Sequence, residues 1–202
     1  MLEEFTEIYD KERWGKGKGS GSGSSPNYCR KFVAYLNGII HDEEIKTVLD
    51  LGCGDWQYAQ MINWPYYLGV DVVESVVQEL LRKHKGDYHF DCVDFQNPDN
   101  LKEIFGVDHY ELVIIKDVFQ HWTDNEILPF METLMAQDWT TLILVNDWHY
   151  IRDKSKNDGR PRDLNNPWRW APIDALEDSV LSPWKFTLEL NYYAKQVVRL
   201  DK

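Results

Sequence analysis

From Lys46 onward, the sequence alternates short runs of apolar, largely β-branched residues with longer stretches whose apolar residues recur at helical spacing. This alternation is typical of βαβ units, which build a mostly parallel sheet with helices packed on its faces. Consecutive apolar positions in "LVII" and "LILV" indicate strands that are buried on both faces. The sequence therefore predicts an α/β fold with strands at "TVLDL" (47–51), "YYLGV" (66–70), "YHFDCV" (88–93), "ELVII" (111–115) and "TLILV" (141–145).

The remaining elements follow from the same periodicities. The final segment, "KFTLELNYYAKQVVRL", alternates with period two on either side of Asn191, which predicts a closing antiparallel pair. Ser25 followed by Pro26 predicts a capped helix whose apolar face holds Phe32, Val33, Leu36 and Ile40. Further helices are predicted at the N-terminus ("EEFTEIYDKERW") and over 56–63, 74–85, 98–105 and 124–137.

Length and composition limit the class of protein. The 202 residues fit one domain, divided into N-terminal helices with a Gly/Ser-rich segment (1–45) and the α/β region (46–202). A formal charge of −12 opposes a broad phosphate-binding surface, so we expect no nucleic-acid partner. Three scattered cysteines, no apolar run of the roughly 20 residues that a membrane span needs, and an acidic N-terminus predict a cytoplasmic protein without a membrane span.

The most specific motif is "VLDLGCGDW" (48–56), a strand that ends in a Gly-x-Gly turn. Gly52 and Gly54 allow a tight backbone and the close approach of a ligand to main-chain N–H groups. Asp71 closes the second predicted strand, where a doubly wound fold places a carboxylate against a ribose diol. The alternative is that these glycines serve only the packing of a tight turn.

This combination resembles the class I S-adenosylmethionine-dependent methyltransferases. The resemblance implies a Rossmann-like seven-stranded sheet, mostly parallel with an antiparallel last strand pair, and S-adenosylmethionine as the cofactor. Asp71 matches the ribose-binding acid of that family, and "DCVDF" matches the segment in which Asp94 meets the adenine amino group and Phe95 its ring. Trp56 departs from the pattern, because it stands where a third glycine is frequent. The implied cofactor-binding residues are Asp50, Gly52, Cys53, Gly54, Asp71, Val72, Asp94, Phe95 and Lys116.

Polar side chains follow the fourth and fifth predicted strands, where an acceptor is expected outside the carboxyl ends of the sheet. Lys116, Asp117, Gln120 and His121 follow one strand, and Asn146, Asp147, Trp148 and His149 follow the other. The fragment "DVFQHW" resembles the "DVxxH" found after the fourth strand of many small bacterial and viral methyltransferases. We therefore take Asp117, His121 and Asp147 as candidate catalytic residues. The candidate acceptor contacts are Gln120, Asn146, Trp148 and His149.

Three interpretations of this region stay open. A histidine, His121 or His149, could act as the general base for a hydroxyl acceptor. Alternatively, Asp117, Asn146 and Asp147 could bind Mg²⁺, which would lower the pKa of a coordinated hydroxyl. Asp117 and Asp147 could also simply cap the segments that follow them.

A basic stretch with tryptophans indicates the kind of acceptor. The segment "NDGRPRDLNNPWRWAP" resembles a loop in a subset of the same methyltransferases, in which Arg160, Arg162 and Asp163 would face the acceptor with Trp168 and Trp170 as walls. Indole faces stack on sugar C–H surfaces while charged groups bond hydroxyls, so a sugar or glycan is favoured. The same patch could bind a phosphate or carboxylate handle, or the loop could be solvated with its tryptophans packed on the sheet edge.

The tract "WGKGKGSGSGSSP" (14–26) has the composition of a flexible linker. Its position before the cofactor strand favours a lid instead. In that lid, Gly and Ser N–H groups, with Lys16 and Lys18, would close over the methionine carboxylate or the acceptor, and Trp14 would anchor the hinge. Together these features predict an O-methyltransferase acting on a sugar or glycan. Methylation of an amine or carboxylate on a small metabolite or protein side chain, and a non-catalytic S-adenosylmethionine-binding partner module, are the alternatives.

Overall fold

The computed structural model describes residues 2–14, 19–106, 108–148, 172–177 and 180–202, without the side chains of Leu2 and Glu4. The helices in these residues are α1 (Leu2–Asp10), α2 (Arg30–Asp42), α3 (Glu74–Lys83), α4 (Pro98–Phe105) and α5 (Asp124–Met135). The strands are β1 (Thr47–Leu51), β2 (Tyr66–Asp71), β3 (His89–Cys92), β4 (Tyr110–Lys116), β5 (Trp139–Asp147), β6 (Thr187–Tyr192) and β7 (Lys195–Asp201).

The seven strands form one sheet in the order β3-β2-β1-β4-β5-β7-β6. β1 pairs parallel with β2, β2 with β3, and β4 with β5. β7 pairs antiparallel with both β5 and β6, which confirms the predicted closing pair. The predicted α/β fold, a mostly parallel Rossmann-like sheet with an antiparallel end, is therefore confirmed.

The chain divides into two compact units, residues 1–95 and 96–202. The first unit contains α1 to α3 and β1 to β3, and the second contains α4, α5 and β4 to β7. The division predicted from the sequence at residue 45 lies inside the first unit and stays a prediction.

In the first unit, the apolar face of α2 is buried as predicted through Phe32, Val33 and Leu36, but its predicted start is wrong. The helix begins at Arg30 after Cys29, which provides no side-chain cap. Ser25 instead donates a hydrogen bond from its hydroxyl to the Ser22 carbonyl at 2.8 Å. Ser25 thus closes a short 3₁₀ turn (Ser22–Ser24), and the Ser-Pro pair lies before the helix rather than at its first position.

The helix predicted over 56–63 is also wrong, because only a 3₁₀ turn forms there (Ala59–Met61). Trp56 has a φ of 62°, a left-handed conformation that a right-handed helix cannot continue through. Its ring is 3% exposed and contacts Tyr67, His84 and Phe90. The segment after the glycine turn is therefore held by aromatic packing and not by a helical ladder.

In the second unit, β4 and β5 are buried along nearly their whole length, which confirms the strands predicted to be covered on both faces. α5 begins with a capping box, in which the Thr123 backbone N–H donates to Glu126 Oε2 at 2.7 Å. The ends of these elements place the polar residues described below.

Candidate functional site

In the first unit, the turn after β1 is shaped by glycine. Gly52 and Gly54 have φ values of 87° and 57°, which L side chains rarely adopt. The backbone N–H groups of Gly52 and Cys53 both donate to the Val70 carbonyl, at 2.8 and 3.0 Å. The turn is thereby fastened to the end of β2. These two N–H groups bond to the protein itself, and the close approach of a ligand to this turn stays a prediction.

Asp71, the last residue of β2, ties the turn to the segment that follows. Its carboxylate accepts hydrogen bonds from Gly54 N at 2.9 Å and from Val73 N at 3.0 Å. Burial raises the pKa of this carboxyl, and the two backbone donors oppose the rise. Each carboxylate oxygen has a second lone pair, so Asp71 keeps capacity to accept further hydrogen bonds from ligand hydroxyls.

The other predicted cofactor residues of this unit differ in accessibility. Asp50 is fully buried and accepts a 2.7 Å hydrogen bond from the Tyr67 hydroxyl. Cys53 is buried, and burial raises the pKa of its thiol well above the usual value, so it stays neutral. Phe95 is buried, whereas Val72 is half-buried and Asp94 is exposed. Val72 and Asp94 are thus accessible to solvent, whereas Asp71, at the end of β2, is buried.

An N-terminal strap, residues 2–14 and 19–21, packs onto the glycine turn. Ser20 Oγ accepts a hydrogen bond from Asp55 N at 2.9 Å and lies 2.7 Å from the Tyr9 hydroxyl. A methyl group added at Gly54 would lie 2.3 Å from Ser20 Oγ, so the two segments are in direct contact. Burial, and next the nearby Asp71 carboxylate, raise the pKa of Tyr9 well above its usual value. The described part of the Gly/Ser tract therefore contacts the glycine turn through Ser20.

Trp14 packs within this strap, and its role as the anchor of a lid hinge stays a prediction. Its ring packs against Phe5 and Tyr9, with ring centroids 6.2 and 5.4 Å apart. Gly21 lies against it, because a methyl group added there would come within 3.2 Å of Trp14 Cβ. Lys16 and Lys18 lie outside the described residues. A pocket of about 240 Å³ lies between the strap and α3, with Tyr9, Asp55, Val76 and Leu80 among its walls.

In the second unit, four charged side chains form a compact ion cluster at the ends of β4, β5 and β7. Lys116 Nζ lies 2.5 Å from Asp117 Oδ2, and Lys195 Nζ lies 2.5 Å from Asp117 Oδ1. Lys195 Nζ also lies 2.8 Å from Asp147 Oδ1. Both lysine side chains are only 3% exposed, and the two aspartates are 16% and 15% exposed. Two positive and two negative charges therefore balance in a mostly buried site.

The ion cluster shifts the pKa values of Asp117 and Lys195. Burial alone would raise the pKa of Asp117, but the Lys116 and Lys195 ammonium groups outweigh it and lower the pKa to about 2. Burial lowers the pKa of Lys195, and the Asp117 and Asp147 carboxylates outweigh that effect and raise it. Asp117 is therefore a weak base. Its φ of 62° is left-handed, and its N–H donates to the Val145 carbonyl at 2.8 Å, which holds it at the strand end.

The donor set does not fit the predicted Mg²⁺ site. The Lys195 ammonium already bonds to both carboxylates of that set, Asp117 and Asp147. Within the part of the chain that the structure describes, no three His, Cys, Asp or Glu side chains are placed to hold a metal ion.

The remaining acceptor-side residues lie close to the same strand ends. Gln120 is buried, and its Oε1 accepts a 2.9 Å hydrogen bond from Asp147 N. His121 is 6% exposed, with its Nε2 3.4 Å from Gln120 Nε2. Trp148 is half-buried and donates from its backbone to the Ala194 carbonyl at 2.9 Å. His149, Arg160, Arg162, Asp163, Trp168 and Trp170 lie outside the described residues.

Lys195, Ser20 and Tyr9 are site residues that the sequence reasoning missed. Lys195 opens β7 directly opposite Asp147 in the antiparallel register. A lysine at the start of a strand otherwise rich in apolar residues is the signal that could have pointed to it. Ser20 and Tyr9 gave no such signal, because serine in a Gly/Ser tract and tyrosine in an amphipathic helix are ordinary.

No protein-family model and no curated protein sequence matches this chain. Solved structures do share its fold. The S-adenosylmethionine-bound magnesium protoporphyrin IX methyltransferase from Synechocystis superposes with a TM-score of 0.62 and 16% identity, over 100% of this chain and 98% of that chain. A SAM-dependent methyltransferase from Anabaena variabilis gives a TM-score of 0.65 and 12% identity, over 99% and 94%.

A third structure, an O-methyltransferase family protein from Burkholderia thailandensis, gives a TM-score of 0.62 and 10% identity, over 86% of this chain and 56% of that chain. At these identities the likeness shows a shared fold. Among the described residues, no helix has the length and apolar character needed to cross a bilayer.

Proposed function

We propose that this chain is an S-adenosylmethionine-dependent methyltransferase that methylates a hydroxyl of a sugar or glycan. The observation that carries the cofactor assignment is the bond from Gly54 N to Asp71, which joins a left-handed glycine turn to a carboxylate at the end of β2. A tight turn used only for packing needs no carboxylate at that point. The shared fold with methyltransferases supports the same assignment.

The first unit would hold the cofactor. Asp71 would accept hydrogen bonds from the ribose hydroxyls with the lone pairs that Gly54 and Val73 leave unused. The exposed carboxylate of Asp94 suits the adenine amino group, and the Phe95 ring lies beside it in the chain. When bound, S-adenosylmethionine supplies a methyl group on a positively charged sulfur.

In the second unit, the burial and charge of each group decide which side chain can remove a proton from the acceptor. Asp117, whose pKa is lowered to about 2, is a poor base, and Asp147 bonds to the same ammonium of Lys195. We infer that these two residues hold the lysines in place and that His121 is the general base. Its burial beside Gln120 would fix the orientation of the ring.

The ion cluster also favours a second candidate, methylation of an amine or a carboxylate. A neutral amine attacks without the help of a strong base, so the pairing of both carboxylates with lysines would cost nothing in that reaction. His121→Ala separates the two. A large loss of kcat is expected for a hydroxyl acceptor, and a mild one for an amine.

We further propose that the N-terminal strap closes the cofactor site. Ser20 Oγ accepts a hydrogen bond from Asp55 N at the end of the glycine turn, and the Tyr9 hydroxyl bonds to Ser20 Oγ. Tyr9→Phe removes only the oxygen that bonds to Ser20, so we expect a folded protein with weaker cofactor binding. An unchanged cofactor Kd would return the tract to the role of a linker.

The deciding experiment is titration calorimetry with S-adenosylmethionine and S-adenosylhomocysteine, followed by transfer of a labelled methyl group to sugars, amines and carboxylates. Asp71→Asn should weaken cofactor binding about tenfold or more, because the carboxylate that would accept hydrogen bonds from the ribose hydroxyls is lost. Asp87→Asn changes an exposed carboxylate of the same unit and is the matched control. Absence of cofactor binding would refute the proposal, and binding without transfer to any acceptor would favour a binding module.

A further inference from the structure

Asn146, the penultimate residue of β5, has a buried side chain that forms no hydrogen bond to the described part of the chain. The residue is 2% exposed. Neither Nδ2 nor Oδ1 of its amide has a hydrogen-bond partner among the residues that the structure describes. A buried amide without partners is unfavourable, because it loses its bonds to water and gains none from the protein.

The polar groups around Asn146 are, by contrast, used. Gln196, its partner in the β5–β7 register, accepts from Ala175 N and donates to Asp174 Oδ1, both at 2.8 Å. The next residue, Asp147, donates from its N–H to Gln120 Oε1. Among the residues that the structure describes, these neighbouring polar groups are therefore satisfied without Asn146.

The position of Asn146 at the end of β5 points to a ligand as the partner of its amide. It lies at the carboxyl end of a parallel strand, and ligands of open α/β sheets bind outside such ends. We propose that the Asn146 amide recognises the methyl acceptor by binding a neutral group that presents a hydrogen-bond donor and an acceptor side by side. This inference rests on the proposed methyltransferase function and adds the chemistry of the group that the site recognises.

The chemistry of the amide restricts that group. Oδ1 only accepts and Nδ2 only donates. A carboxylate cannot donate to Oδ1, and an ammonium cannot accept from Nδ2, so either ion would leave half of the amide unpaired. Two neighbouring hydroxyls, as in a sugar, satisfy both halves, and so does a carboxamide. The charged handle considered for the acceptor would therefore bind elsewhere than at Asn146.

The test uses Asn146→Leu, which keeps the branched shape of asparagine and has no polar side-chain atoms, with Asn125→Leu on the exposed surface of α5 as the matched control. Each protein is first melted without ligand. Asn146→Leu should melt at the same temperature as the wild type or higher, because no protein hydrogen bond is lost. Melting several degrees lower would show that the amide supports the fold and would overturn the proposal.

Binding is then measured by ligand-observed NMR in the presence of S-adenosylhomocysteine. The probes are trans-1,2-cyclohexanediol and benzamide, which are neutral pairs of donor and acceptor, and benzoate and benzylamine, which are charged. We expect the wild type and Asn125→Leu to bind a neutral probe and Asn146→Leu to bind it at least about tenfold more weakly. The diol and the amide arms identify the source of the recognised group.

In the binding experiment, three results would overturn the inference. These are equal binding of the neutral probe by wild type and Asn146→Leu, binding of charged probes only, and binding of no probe by the wild type. The affinity for S-adenosylhomocysteine, measured on the same samples, distinguishes failure of this inference from failure of the proposed function. If the wild type does not bind S-adenosylhomocysteine, the methyltransferase function is refuted. If it binds S-adenosylhomocysteine and gives one of these three results, only the role of Asn146 is refuted.

Discussion

Replacing Lys195 by methionine removes the ammonium that joins Asp117 and Asp147. The methionine side chain has a similar length and fills the same space, so the loss of charge dominates the effect. After the change, Asp117 keeps one cation, Lys116, and Asp147 loses the one that lies 2.8 Å away. The cluster then carries a net negative charge in a site where both carboxylates are mostly buried.

The size of the effect follows from the burial of the pair. Removing one partner of a buried ion pair costs about 3–5 kcal/mol, because the other charge stays buried without compensation. The two carboxylates keep some contact with water, which places Lys195→Met near the lower limit, at about 3 kcal/mol at pH 7. The lowering of the Asp117 pKa from 3.8 to about 2 gives a similar scale, since each unit corresponds to about 1.4 kcal/mol.

The pH dependence provides an internal check. The pKa of Asp117 in the folded protein lies below the unfolded value, so its contribution to stability is present above about pH 4 and is lost as the pH falls through about 2. The difference between wild type and Lys195→Met should therefore be largest near neutral pH and should narrow below pH 4. As the pH falls through that range, the free energy of unfolding of the wild type should approach that of Lys195→Met.

The assay is urea unfolding followed by tryptophan fluorescence at several pH values. Lys185→Met, which changes an exposed lysine of the same unit, is the control and should leave the midpoint unchanged. A double-mutant cycle with Asp117→Asn should give a coupling energy above about 1 kcal/mol, as expected for charges in contact. A variant as stable as the wild type at pH 7, or a difference that stays constant down to pH 3, would refute the reasoning.

Three further predictions concern single positions. Gly54→Ala forces an alanine into a left-handed conformation and pushes its methyl group against Ser20. It should lower the free energy of unfolding by more than about 1 kcal/mol in the same urea assay. Gly38→Ala, inside α2, has open space for the methyl group and should raise the free energy of unfolding by about 0.5–1 kcal/mol. Because burial raises the folded pKa of Asp71, its contribution is present at low pH and is lost as the pH rises, so Asp71→Asn should be more stable relative to wild type at pH 7 than at pH 4 by thermal melting. Thr123→Ala removes the capping box of α5 and should cost about 1 kcal/mol in urea; an unchanged midpoint would show that tertiary packing alone holds that helix end.

Much of the fold could be predicted because burial leaves a local trace in the sequence. The runs in β4 and β5 are apolar at successive positions, and the structure buries them on both faces. The errors lie where a contact overrides local preference. Trp56 is an acceptable helix residue, yet packing of its ring with neighbouring aromatic residues holds it in a left-handed conformation that ends the predicted helix. Ser25 bonds backward to Ser22 instead of capping α2.

The candidate site was predicted in part for the same reason. Gly52, Gly54 and Asp71 carry their chemistry within short, recognisable segments, and the structure joins Gly54 to Asp71 directly. The state of Asp117 could not be predicted, because its strongest distant partner, Lys195, lies 78 positions away in the chain. The sequence likewise could not predict that the buried amide of Asn146 forms no hydrogen bond to the described residues, because that depends on which donors and acceptors surround it in the fold.

The sequence by itself determined the alternation of strands and helices, the antiparallel closing pair and the glycine turn with its acid, because each depends on periodicity or on a few adjacent residues. Only the tertiary structure decided which charges meet. The antiparallel register of β5 and β7 sets Lys195 opposite Asp147, and packing of the strap sets Ser20 on Asp55. Those contacts join residues distant in the chain, and electrostatic energy depends on their separation in space and on the water removed between them.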